Sequence, residues 1–230
     1  MNELFLSSSF FGIVLSLLAY EAGLLLKRKF RLSIFNPLLV SIIIVIAVLL
    51  LFRIDYPTYY QSSQVFNYLL TPATVSLAVP LYEEVRTLRK HPVAITIGIL
   101  SGVVTSLLAV FLLSLLFNLN HTEYVTLLPK SITTAVGMPL SEEYGGYVSI
   151  TVISIIITGV FGNVIAGGAC RLFKIRTKIA RGVAIGTCSH AIGTTKALEM
   201  GRLEGAVSSL SLVASALMTL IGMSIFSQFI

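Results

Sequence analysis

Long apolar runs, interrupted at only a few places, set the pattern of this chain. Six stretches, about 4–26, 35–52, 62–81, 92–117, 147–170 and 205–229, are nearly free of charge. Each comes close to the roughly 20 residues a helix needs to cross the hydrocarbon core, so all six are predicted as membrane spans. Two further stretches have a different texture. Residues 127–146 (LLPKSITTAVGMPLSEEYGG) and 182–202 (GVAIGTCSHAIGTTKALEMGR) are short and crowded with glycine and hydroxyl side chains. Each is open to two readings, a crossing or a dip that returns to the face it left.

Composition sharpens the class. Of 230 residues, 56% are hydrophobic and 11% charged, where a soluble domain carries about a quarter charged. This predicts an all-α integral membrane protein with no room for a separate soluble domain. The N-terminal MNELFLSSSF lacks a basic leader and a small-residue cleavage site, and is read as the start of the first span rather than a removable signal. Cys170 and Cys188 are isolated and give neither a disulfide framework nor metal spacing. A net charge of +6 marks cytoplasmic loops here rather than nucleic-acid binding.

Charge also chooses between the two readings of the odd stretches. If Lys27, Arg28, Lys29 and Arg31 are cytoplasmic and both odd stretches re-enter, 14 of the 16 basic residues fall inside, leaving Arg53 and Lys130 outside. If both cross instead, the residues of 171–181 change sides and the split becomes 9 to 7. The positive-inside rule prefers the first arrangement. The expectation is therefore about six spans plus two re-entrant or broken-helix elements entering from opposite faces, with both termini outside and the loops 27–31, 86–91 and 171–181 cytoplasmic. Eight crossings is the alternative. Residues 1–230 form one domain, with 1–60 supplying two scaffold helices and 61–230 a transport-like core. Backbone that is not regular helix survives at membrane depth only where protein or a water-filled cavity satisfies it, so GTCSHAIGTTK at 186–196 is expected to line something polar.

An internal repeat is suggested by ATVSLAVPLYEE (73–84) over ITTAVGMPLSEE (132–143), which aligns Thr74 with Thr133, Pro80 with Pro139 and the paired glutamates. Repeats around Gly/Pro-interrupted helices are a transporter feature. A same-sense repeat would have 127–146 cross, against the charge count, which rests on more residues.

The runs KSITTAVGMPLSEEYGG, TGVFGNVIAG, GVAIGTCSHAIGTTKALEMGRLEGAVSSL and AVPLYEEVRTLRKH resemble the LrgB/CidB family of bacterial membrane proteins, called antiholin-like. The likeness covers essentially the whole chain. Ala135 departs from the family, where a proline is common, and bears on how sharply that turn is kinked. The resemblance implies a location in the cell membrane and a small LrgA/CidA-like membrane partner. It also implies one of two functions: transport of small monocarboxylates such as pyruvate, lactate, glycolate or glycerate, the last two as in a plant plastidial relative, or antiholin-like control of murein hydrolase activity and autolysis.

A monocarboxylate that crosses needs donors to replace its lost hydration. Half-helix N-termini supply unpaired N–H groups and a positive dipole end. Hydroxyls of Ser131, Thr133, Thr134, Thr187, Ser189, Thr194 and Thr195 are candidates to complete the shell, with Gly137, Gly186 and Gly193 allowing close backbone approach. Small residues also serve ordinary helix packing in membranes, which is the competing reading for each. His190 is a candidate for carboxylate binding or proton coupling, or else for bonding a carbonyl freed by the broken helix. Glu142 and Glu143 are candidates for coupling to H⁺ or Na⁺, or a solvated interfacial pair. Glu83 and Glu84 fit a solvated loop, and Glu21 a snorkelling partner of Lys27. The basic run 171–181 is read as a topology determinant meeting anionic headgroups of the lipid bilayer. No orienting third residue accompanies Ser189 and His190, and no metal, nucleotide or flavin motif occurs, so an enzyme is not expected and no cofactor is assigned. A homo-oligomer is left open.

Overall fold

The computed structural model describes residues 10–30, 35–76, 78–83, 86 and 89–230. Residues 4–9 of the first expected span, Arg31, Glu84 and the side chains of Thr74, Pro80 and Leu81 lie outside the described set. Every element among the described residues is helical. In chain order they are α1 (Phe11–Phe30), α2 (Pro37–Phe52), α3 (Tyr56–Ser62), α4 (Val65–Ser76), α5 (Ala78–Glu83), α6 (Pro92–Phe117), α7 (His121–Leu127), a 3-10 turn (Leu128–Ser131), α8 (Thr134–Glu143), α9 (Val148–Leu172), α10 (Lys178–Met200) and α11 (Arg202–Phe226). Helices α6, α9 and α11 are long and apolar enough to cross a membrane, and α2 is a shorter apolar helix of 16 residues. The chain divides into two compact units, Met1–Ser76 and Leu77–Ile230. That division falls inside the stretch 73–84 proposed as the first repeat copy.

In the first unit, α1 and α2 approach closely where Gly23 meets the backbone of Pro37, and Gly12 N–H donates to Ser62 Oγ at 2.9 Å. The start of α2 is fixed by sequence. Asn36 accepts from the amides of Leu38 and Leu39 at 2.8 and 3.3 Å, and Pro37 occupies the first helical position, where its missing N–H costs nothing. Asn36→Ala should therefore cost about 1 kcal/mol, read as a lower midpoint for thermal unfolding in detergent; an unchanged midpoint would remove Asn36 as a determinant.

The second unit is organised around α6 and α11. Ile95, Ile99, Val103, Leu107 and Val110 recur at helical spacing and make one buried stripe on α6. The stripe belongs to a core shared with Val207, Ala216 and Met223 of α11. Helix α11 buries Ser208, Ser209, Ser211, Ser215 and Thr219, small side chains that allow neighbouring backbones to come near. Gly186 of α10 sits against the backbone of Ser208.

Helix α10 doubles back on itself. Ser189 (φ −129°, ψ 15°) and His190 (φ 41°, ψ −140°) leave helical geometry in its middle. Gly182 on the first arm packs on Val207 and the Glu204 carbonyl, while Leu198 on the second arm packs on Gly205. In a straight helix Gly182 and Leu198 would stand about 24 Å apart; here both reach the same turn of α11. The segment from α7 to α8 also goes out and back. Tyr124 Oη donates to the Phe226 carbonyl at 2.8 Å and Tyr144 Oη bonds Ser224 Oγ at 3.1 Å, so its two ends share one end of α11. Thr151 ties the two limbs together, donating toward the Thr126 carbonyl and Ser141 Oγ at 2.9 and 2.7 Å.

Candidate functional site

The turns of these two hairpins meet beside α6. Ser131, at the end of the 3-10 turn, bonds Ser106 of α6 at 2.9 Å. Thr187, near the turn of α10, lies against Gly102, one helical turn or about 6 Å along α6. Ser106 stands about 16 Å from the Phe117 end of its helix, roughly half the thickness of a hydrocarbon core. On α9, Gly162 faces Ser189 and Gly159 faces the His190 ring, a closeness that side chains larger than hydrogen would prevent.

Between the turns lies a cavity of about 560 Å³. Lys130, Ser131 and Ser106 form its polar end, with Ser189 and Cys188 contributed by α10. Lys130 Nζ donates to Ser131 Oγ at 3.2 Å and to Ser106 Oγ at 3.5 Å. No carboxylate pairs with this ammonium among the described residues. The hydroxyls of Ser101, Thr105 and Thr158 also line the cavity. A single cation ringed by hydroxyls in an otherwise apolar slab is suited to hold one negative charge.

The candidates named from sequence are distributed unevenly around this cavity. Ser131 and Ser189 line it. Thr187 lines a second chamber of about 540 Å³ and is buried, its hydroxyl without a hydrogen-bond partner among the described residues. His190 is buried and turned to α9, its Nε2 lying 3.0 Å from the Ile155 carbonyl. A carbonyl can only accept, so this ring nitrogen carries the proton. Thr194 donates to the His190 carbonyl at 2.9 Å and receives the Ser208 hydroxyl at 2.8 Å. These bonds hold His190 in a left-handed conformation that a non-glycine residue adopts only at a cost of about 1–3 kcal/mol. Gly137, Gly186 and Gly193 approach Ile155, Ser208 and Ser189 respectively. Thr133 and Thr134 are half-buried at the start of α8, and Thr195 bonds Asn163. Glu142 and Glu143 are exposed at the far end of α8. Among the described residues no three His, Cys, Asp or Glu side chains gather as a metal site would require.

Lys130, Ser101, Thr105, Ser106 and Thr158 were not among the sequence candidates. Lys130 is counted above only as a charge on the outer side, within 127–146; it sits at the turn of the first hairpin, half-buried beside Ser106.

With this geometry in place, known proteins give the context. Residues 16–229 match the model of the LrgB-like family. The chain belongs to that family. It is 36% identical over 207 residues to the holin-like protein CidB of Staphylococcus epidermidis, covering 90% of each chain. It is 33% identical over 224 residues to the antiholin-like protein LrgB of Bacillus subtilis, covering 97% of each. To the antiholin-like protein LrgB of Bacillus cereus it is 32% identical over 222 residues, covering 96% of each. No solved structure matches. Membership of the LrgB-like family and three long apolar helices identify a multi-pass membrane protein, and neither the family nor the names of these relatives point to an enzyme.

Proposed function

We propose that this LrgB-like protein is a secondary carrier, or the transport subunit of one, for monocarboxylates such as pyruvate, lactate, glycolate or glycerate. The observation that carries this reading is Lys130: an ammonium with hydroxyl partners, placed where the two hairpin turns come together at mid-height of apolar helices. A charge at that depth is costly to maintain and is a functional candidate by default. In this reading the hairpins are re-entrant elements from opposite faces of the cell membrane, α10 from the basic 171–181 side and the α7–α8 segment from the side of both termini. Six spans complete the chain. Alternating access exposes the Lys130 cavity to each side in turn, with H⁺ or Na⁺ as the coupling ion and a small LrgA/CidA-like membrane protein as the partner.

The second reading, an antiholin-like regulator of murein hydrolase activity and autolysis, is favoured by the printed names of the relatives. Reconstitution separates the two. Proteoliposomes holding the purified protein, with and without the small partner, should take up labelled pyruvate, lactate, glycolate or glycerate saturably. Absence of saturable uptake for all four in both preparations would leave the regulator reading. In that case hydrolase release should follow the amount of protein present and be indifferent to Lys130→Met.

A further inference from the structure

Resting on the carrier reading, we infer that the Lys130 cavity selects monocarboxylates with an apolar body longer than three carbons, the branched and aromatic 2-oxo acids. Charge sets the first limit. Lys130 is the only basic residue lining the cavity among the described residues, so one carboxylate is matched and a second would be buried without a partner. Hydroxyls set the second. Ser189 reaches the cavity with no protein partner among the described residues, a donor for the 2-oxo oxygen beside a carboxylate held by Lys130 and Ser131.

Size and polarity of the remaining walls point further. The rest of the lining includes the exposed side chains of Ala109, Ile157, Phe161 and Ile165, which offer no hydrogen bond and leave this part of the cavity open to its surroundings. A three-carbon acid occupies on the order of 100 Å³, three or four times the volume of a water molecule in the liquid. It would leave most of the roughly 560 Å³, and the apolar side chains along it, uncovered. The second chamber, walled by Ile179 and Val183, shares Ser101, Gly102 and Cys188 with the first, so a longer body has room to extend past these residues. Each methylene moved from water onto such walls tightens binding about fourfold.

The test is competition against labelled pyruvate in proteoliposomes of the intact protein with its small partner. The unlabelled competitors are pyruvate, 2-oxobutyrate, 2-oxovalerate, 4-methyl-2-oxovalerate, phenylpyruvate and succinate. Half-inhibitory concentrations should fall about fourfold per added methylene before levelling, and succinate should not compete. Ala109→Phe, which takes up part of the cavity along α6, should shrink the ratio between pyruvate and 4-methyl-2-oxovalerate at least tenfold. Pyruvate competing as well as or better than the longer acids would overturn the inference and leave the carrier reading standing. Failure of every acid, pyruvate included, to be taken up or to compete would overturn both.

Discussion

Lys130→Met is expected to lower kcat/KM for monocarboxylate uptake on the order of 100-fold, while the folded protein remains at least as stable as the parent. The two halves of this expectation have different causes. Removing the cation that meets a desolvated carboxylate costs about 3 kcal/mol of binding, because the anion is left without the partner that replaces its hydration. In the empty protein the same ammonium is a burden: it bonds only Ser131 and Ser106 and no carboxylate among the described residues. Replacing a buried charge with an apolar side chain of similar length is often neutral or stabilising. Uptake kinetics together with thermal unfolding in detergent read both quantities. A variant that loses stability but keeps transport would make Lys130 a structural residue and remove the foundation of the carrier reading.

Gly162→Ala is the second large expectation. Elsewhere in a helix this change is neutral or favourable, because alanine has the better helix propensity by about 1 kcal/mol. At Gly162 a methyl group would overlap the Ser189 side chain, so the turn of α10 must move away from α9. Overpacking of this kind costs about 1–3 kcal/mol, and a displacement near 1 Å at a binding group can cost roughly 100-fold in rate. Gly167→Ala and Gly168→Ala, at positions with open space around them, are the controls and should leave uptake and stability near the parent values. Equal behaviour of the three variants would show that the α9–α10 contact does not position Ser189.

Much of this arrangement was legible in the chain. The glycine and hydroxyl texture of 182–202 marked where α10 leaves helical geometry, and the charge count favoured a return over a crossing. Ser131 and Ser189 were named as hydroxyls for an anion's coordination shell, and both line the cavity. Three things were hidden. Charge counting assigns a side of the membrane and carries no depth, so Lys130 was counted only as an outer charge although its neighbours Leu127, Leu128 and Ile132 are all apolar. Ser101, Thr105 and Ser106 were averaged away inside the strongly apolar run of α6; their shared face is visible only when the helical period is applied to polar positions. His190 stood out by composition, yet whether its ring faced a cavity or a carbonyl depended on the backbone conformation at the break, which no periodicity reports.

The position of Lys130 bears on how the protein is made. The α7–α8 segment carries a lysine, two prolines and three glutamates and is a poor candidate for entry into lipid on its own. The helices that receive it, α9 and α11, leave the ribosome after it. If the segment re-enters the membrane as proposed, its packing waits in part for chain made later, and nascent chains halted before α11 are expected to leave it within reach of added protease.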